Sequence, residues 1–257
     1  SNLKRKIGLL EQKTGRSLHG LPVVLSGMVT SSIGWSELPY TPLPVDLRSP
    51  DLQMEMMEAD HDFEHPVLLV SGVRSDDDVM RGEEMELLGL HHLLKHRKSS
   101  GEAKGSDGIT LYLLPGTHSK HLVVKRDQLI RFRTFMTGEL FHLIATESLI
   151  RHSVKPPASL PTAPQANADL RDNSPPPPFL EGVHAALEGN LLNRLFTLRA
   201  RDLLYQTAAE ENTDYLSGLL IGAELRELKQ LCIESGERIS DGESISESGE
   251  MAPDANG

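Results

Sequence analysis

Residues 108–150, GITLYLLPGTHSKHLVVKRDQLIRFRTFMTGELFHLIATESLI, restrict the fold of this chain more than any other stretch. Ile109–Leu114 is an apolar run rich in strand formers. The polar residues Pro115 to Lys120 read as a turn. His121–Lys125 and Leu129–Phe135 read as two further strands, joined at Arg126-Asp127-Gln128. Thr137 is expected to cap a helix opening at Gly138-Glu139, with Leu140, Ile144 and Ser148 on one face. Three short strands returning on one another and feeding a helix predict a mixed α/β fold.

Composition limits the rest. The chain has 257 residues, 38% hydrophobic, enough for one large domain or two small ones. Mean hydropathy is −0.29, and no run approaches the roughly 18 apolar residues of a membrane span. No signal-peptide pattern is visible at the start, and a single cysteine, Cys232, suits a reducing compartment, so the expected setting is cytoplasmic. The net charge is −11, but residues 234–257 hold seven acids against one base, Arg238. The body is therefore only mildly acidic, and no basic surface supports nucleic-acid binding.

Two apolar runs, Leu21–Ser26 and Pro66–Val73, read as buried strands ending in small-residue loops. Open α/β sheets place ligands at such strand ends. The Pro42, Pro44 and Pro50 region reads as extended connector, and residues 83 onward as a helix. Residues 96–108 read as a surface loop and 154–178 as a proline-rich linker or insertion. Phe179–Gln206 reads as one helix, Tyr215–Cys232 as another, and residues from 235 as a disordered acidic tail. The histidines at 61, 65, 91, 92 and 96 read as surface residues, not metal ligands.

Five blocks occur in order: Gly27-Met28-Val29 with Gly34-Trp35 and Pro39-Tyr40; Asp78 to Glu84; Leu114 to Lys120; Phe135 to Leu140; and Tyr215 to Glu224. Together they resemble the 2-dehydro-3-deoxygalactonokinase (2-keto-3-deoxygalactonate kinase) family. The resemblance implies an actin-like ATPase fold of two ribonuclease-H-like lobes. Residues 1–105 would form the remainder of the N-terminal lobe and 106–233 the C-terminal lobe, with 234–257 as a tail. It implies a carbohydrate kinase acting in galactonate degradation, which transfers the ATP γ-phosphate to the 6-hydroxyl of 2-dehydro-3-deoxy-D-galactonate. ATP and Mg²⁺ would be the cofactors and a sugar acid the partner, with no membrane; a homodimer is compatible with it. Kinases of this superfold open with an Asp-x-Gly-Thr hairpin, which is not found here, and His121 stands where Trp is expected. The expectation is of a chain incomplete at both ends and weakly active or inactive. A second reading is a non-catalytic remnant that binds a sugar acid or a partner protein.

The residues themselves suggest roles. Gly116, Thr117, Ser119 and Lys120 suit phosphate binding: glycine admits backbone N–H groups, the hydroxyls donate and Lys120 adds charge. A plain hairpin turn would use the same Pro-Gly pair. Asp78, at a strand end, is the expected general base and Arg81 an anion clamp, with Glu83 or Glu84 as rival bases. A helix start favours Glu at 83 and 84 for its dipole alone. Gly27, Ser31, Ser32 and Trp35 could line a sugar-acid pocket, Trp35 equally a core. Gly218, Gly222 and Ala223 fit the close backbone approach of an adenosine, or read as small residues where a helix packs on a sheet. No metal-ligating cluster is expected.

Overall fold

The computed structural model describes residues 2–61, 63–98, 109–155 and 177–234. Most of the loop at 96–108, most of the proline-rich segment, the acidic tail and the Cys232 side chain lie outside the described residues. In order, the chain forms α1 (Asn2–Thr14), β1 (Val23–Leu25), β2 (Thr41–Pro42), β3 (Val45–Asp46), β4 (Met54–Met57), β5 (Val67–Val70), β6 (Val73–Arg74), β7 (Val79–Met80) and α2 (Glu83–Lys98). Then come β8 (Ile109–Leu114), β9 (Ser119–Lys125), β10 (Gln128–Phe135), α3 (Thr137–Thr146), α4 (Pro177–Glu188), α5 (Leu191–Tyr205) and α6 (Ala209–Glu234).

The strands form three sheets of mixed α/β character. β1 pairs parallel with β5, whose other edge takes β4 antiparallel. β8, β9 and β10 form an antiparallel meander, and β3 extends it beside β10. β2, β6 and β7 form a third, small sheet. The meander turns at Arg126 and Asp127, both with positive φ (49° and 65°), the geometry of a two-residue hairpin. Asp127 stabilises it: its carboxylate takes Lys95 at 2.8 Å and His91 at 3.0 Å, and these partners hold its pKa below the usual carboxylate value.

One core joins Val45, Val70, Val73, Met80 and Leu87 to Tyr112, Leu122, Leu129 and Phe132. Residues on both sides of the 105/106 boundary thus share an interior. A second core lies among α3, α4, α5 and α6, around Ala145, Ala186, Leu198, Leu216 and Leu219. No helix among the described residues is long and apolar enough to cross a membrane.

Several expectations are corrected. β1 is not buried: it is the edge strand of its sheet and Val24 is 51% exposed. The 179–206 helix breaks at Gly189-Asn190, where the Asn190 side chain accepts from the Leu192 N–H and caps α5. Pro177 and Pro178 open α4, where the first turn needs no N–H donor. β4, with both faces exposed, has no alternating pattern and was not foreseen. His65 is buried on the Leu21 carbonyl, and half-buried His91 bonds the Tyr112 hydroxyl, so neither is a surface histidine.

Candidate active site

β9 begins at Ser119, so Ser119 and Lys120 are strand residues and the turn is shorter than expected. Strand alternation then sends neighbouring side chains to opposite faces. The four residues grouped by sequence as a phosphate site are thereby divided. Ser119 and His121 face α6, while Lys120 faces the start of α2.

On the α6 face, one carboxylate gathers three side chains. Glu224, 9% exposed, accepts the Ser119 hydroxyl at 2.7 Å and His121 Nε2 at 2.6 Å on one oxygen. Its other oxygen accepts the Thr137 hydroxyl. Thr137 is therefore not the N-cap of α3: that position is Met136, without a side-chain cap bond. Instead, the N-terminus of α3 is met by the turn, whose Thr117 carbonyl accepts the Glu139 N–H at 3.0 Å. A Cβ on Gly138 would lie 2.6 Å from the Gly116 carbonyl oxygen, which only glycine permits. Between turn and α6 lies a cavity of about 350 Å³. Its walls include Leu113, Pro115, Phe141 and Leu220, and its polar end holds Ser119, Thr137 and Glu224.

On the opposite face the second constellation assembles. Lys120, 4% exposed, donates to the Val79 carbonyl at 3.1 Å and the Thr134 hydroxyl at 2.6 Å, with Glu83 at 3.8 Å. Thr134 passes its own hydrogen to Asp78. Asp78 also accepts the Thr134 and Val79 N–H groups, each at 2.7 Å. These bonds tie the Asp76–Asp78 loop to the edge of β10 and occupy both carboxylate oxygens. Arg81 is similarly engaged: its guanidinium donates to the Thr30 carbonyl and hydroxyl and to the Leu38 carbonyl, and lies 4.0 Å from the Tyr40 ring centroid.

Glu83 and Glu84 cap the start of α2, accepting the Arg81 and Gly82 N–H groups respectively. Glu84 differs in one respect. It is 2% exposed and its second oxygen, Oε1, has no partner. Burial pushes its pKa up to about 7. The predicted sugar loop meets this helix start, since Gly27 packs its backbone on Gly82 and Thr30 holds Arg81. In that loop Trp35 is 57% exposed, so it is not core, and the Ser31 hydroxyl is turned back to the Met28 carbonyl.

Gly218 and Gly222 are placed in the seam between α6 and α4. A Cβ at 218 would stand 1.9 Å from the Phe179 carbonyl oxygen, and one at 222 would stand 2.9 Å from Val183. The close approach they make is that of α4, and the side of α6 that lines the cavity carries Ser217, Ile221 and Glu224 instead. Ala223 packs against the helical core. Sequence reasoning missed Glu224, Thr134 and Thr30. The available signal was one acid within Leu219 to Leu225, otherwise small and apolar.

Comparison with known proteins bears on this geometry. The family model of 2-keto-3-deoxy-galactonokinase matches residues 3–240. The 2-dehydro-3-deoxygalactonokinase of Escherichia coli (strain K12) is 34% identical over 210 residues, covering 81% of this chain and 61% of that protein. The "Probable 2-dehydro-3-deoxygalactonokinase DgoK1" of Rhizobium meliloti (strain 1021) is 34% identical over 208 residues, covering 80% and 60%. The chain thus spans about three fifths of the length of these curated relatives. A crystal structure from Sinorhizobium meliloti, described as a 2-dehydro-3-deoxygalactonokinase candidate, superposes with TM-score 0.66 at 30% identity, covering 87% of this chain and 67% of that one. With its blocks in order and the family model matched along nearly its whole described length, the chain belongs to the 2-keto-3-deoxy-galactonokinase family.

Proposed function

We propose that this chain carries out ATP-dependent phosphorylation of 2-dehydro-3-deoxy-D-galactonate at the 6-hydroxyl. One observation carries the reading: the Gly116–Thr117 turn is seated on the N-terminus of α3 and borders an open-mouthed cavity beside α6. A glycine turn against a helix start presents backbone N–H groups to an anion. The cavity has the size and apolar walls of a nucleoside site. The proposed architecture is the two-lobed actin-like one, with residues 1–105 and 106–233 as lobes that share the interior around Val73 and Leu122, and the reaction in the cytoplasm.

In this reading the polyphosphate lies at Gly116 and Thr117, and Mg²⁺ arrives with it, bound mainly by phosphate and water. The sugar acid lies at the Gly27–Trp35 loop, beside the start of α2. Glu84 replaces Asp78 as the proposed base. Its Oε1 is unoccupied and its pKa of about 7 suits proton transfer at neutral pH. Asp78, Arg81 and Lys120 hold the loops around it.

A coupled assay is expected to register ADP release that depends on 2-dehydro-3-deoxy-D-galactonate. ADP release at the same rate without the sugar acid would contradict the proposal. Calorimetric binding of the sugar acid with no binding of MgATP would favour the non-catalytic remnant instead.

A further inference from the structure

We propose that Glu224 sets the hydrogen-bonding polarity of the cavity under the Gly116 turn. It makes the polar end a receptor for a hydrogen-bond donor of the nucleoside and not for a phosphate oxygen. The inference rests on the nucleotide reading above and names what each end of that site takes.

A serine or threonine hydroxyl has one hydrogen to give. Ser119 gives its hydrogen to Glu224 Oε1, and Thr137 gives its hydrogen to Oε2. His121 is fully buried, with Nε2 against Glu224 and Nδ1 without a partner. A carboxylate can only accept, so the imidazole hydrogen is on Nε2 and is spent there too. No side-chain hydrogen of these groups remains for a ligand. What Ser119, Thr137 and Glu224 offer the cavity is lone pairs.

A phosphate oxygen is itself an acceptor and negatively charged, so this end rejects it. An amino or hydroxyl hydrogen on a base or ribose fits it. Most of the neighbouring wall, Leu113, Pro115, Phe141 and Leu220, is apolar and suits a flat ring, and Ser217 adds one hydroxyl outside the Glu224 cluster. Phosphates are left to the backbone of the turn, where Gly116 lines the same cavity. Ser119, assigned by sequence as a phosphate donor, therefore belongs to the nucleoside end. Glu224 is in these terms a specificity-determining residue, and His121 a positioning residue that acts through it.

The test measures MgADP and magnesium pyrophosphate binding by calorimetry in the wild-type chain, Glu224→Gln and Ser119→Ala. Glutamine has one acceptor oxygen for three donors, and its amide can turn the hydroxyls outward. Glu224→Gln is expected to weaken MgADP about tenfold or more, the scale of a lost bond to a charged group, and to leave pyrophosphate unchanged. Ser119→Ala, which removes one donor and leaves the carboxylate, is expected to weaken MgADP about threefold. Gly182→Ala serves as a stability control. Its Cβ would meet the Tyr215 carbonyl at 2.2 Å in the α4–α6 seam, so its melting temperature falls while MgADP affinity holds. Equal loss of both ligands in Glu224→Gln, or loss of neither, overturns the inference alone. Failure of the wild-type chain to bind MgADP overturns the nucleotide reading and the inference with it.

Discussion

Gly138→Ala is expected to weaken MgADP binding about a hundredfold while sugar-acid binding stays at its wild-type level. Helix propensity alone predicts the opposite sign for stability, since alanine is favoured over glycine within a helix by about 1 kcal/mol. Position 138 is in the first turn of α3, but its neighbour decides the outcome. The new Cβ would stand 2.6 Å from the Gly116 carbonyl oxygen and 2.9 Å from Thr117 Cα. Both are backbone atoms, which cannot rotate aside as a side chain can. Overpacking of this kind costs about 1–3 kcal/mol, so relief comes by lifting the turn off the helix. That movement breaks the Glu139 N–H bond to the Thr117 carbonyl and shifts the turn amides proposed to hold the phosphates. Losing one or two backbone hydrogen bonds to a charged phosphate, about 1.5–3 kcal/mol each, is worth roughly tenfold to a hundredfold or more in affinity. Calorimetry with each ligand separately checks this; MgADP affinity within threefold of wild type would show that the turn does not hold the nucleotide.

The second large effect concerns Glu84 and pH. Its carboxyl has a pKa of about 7 in the folded chain against an ordinary value of 4.5. The folded state therefore holds a proton that the unfolded state has already lost between these values, and stability falls as pH rises through that window. Below pH 4.5 the contribution is fully present; above about 7 it is lost, a difference of about 3 kcal/mol. Glu84→Gln cannot ionise. The variant is expected to lose this slope and, at pH 8, to be more stable than wild type by about 1–3 kcal/mol, less whatever its new amide N–H costs if unpaired. It is also expected to lose turnover, since an amide accepts no proton. Urea denaturation at pH 5 and pH 8 tests the first point, where an unchanged slope would contradict it. The combination of greater stability with lost activity is the pattern of a group kept at a cost to the fold for its chemistry.

The meander and the order of blocks were legible because they depend on local pattern. β8 and β10 are runs of strand-forming residues, and Pro115-Gly116 marks the turn between β8 and β9. The site's division into two faces was legible in principle, since Ser119 and Lys120 are adjacent and a strand must separate them. The polar run Pro115 to Lys120 hides it, because its last two residues already belong to β9. A lone acid in the apolar run Leu219 to Leu225 marks Glu224 locally, but not its partners, which lie 87 to 105 residues away in sequence. The same holds for Arg81, whose guanidinium reaches Thr30 across 51 residues. Gly218 and Gly222 show the converse limit. A small residue signals close approach, but whether a ligand or a helix makes that approach depends on what packs there, here α4.

The central claim is that nucleotide occupies the turn, the start of α3 and the facing side of α6. Backbone amide hydrogen exchange of the wild-type chain with and without MgADP tests it most directly. The account predicts new protection at residues 116–119, 137–139 and 217–225. Protection confined instead to the larger groove of about 750 Å³ between the Asp76–Asp78 loop and β10, or no protection at all, would contradict it.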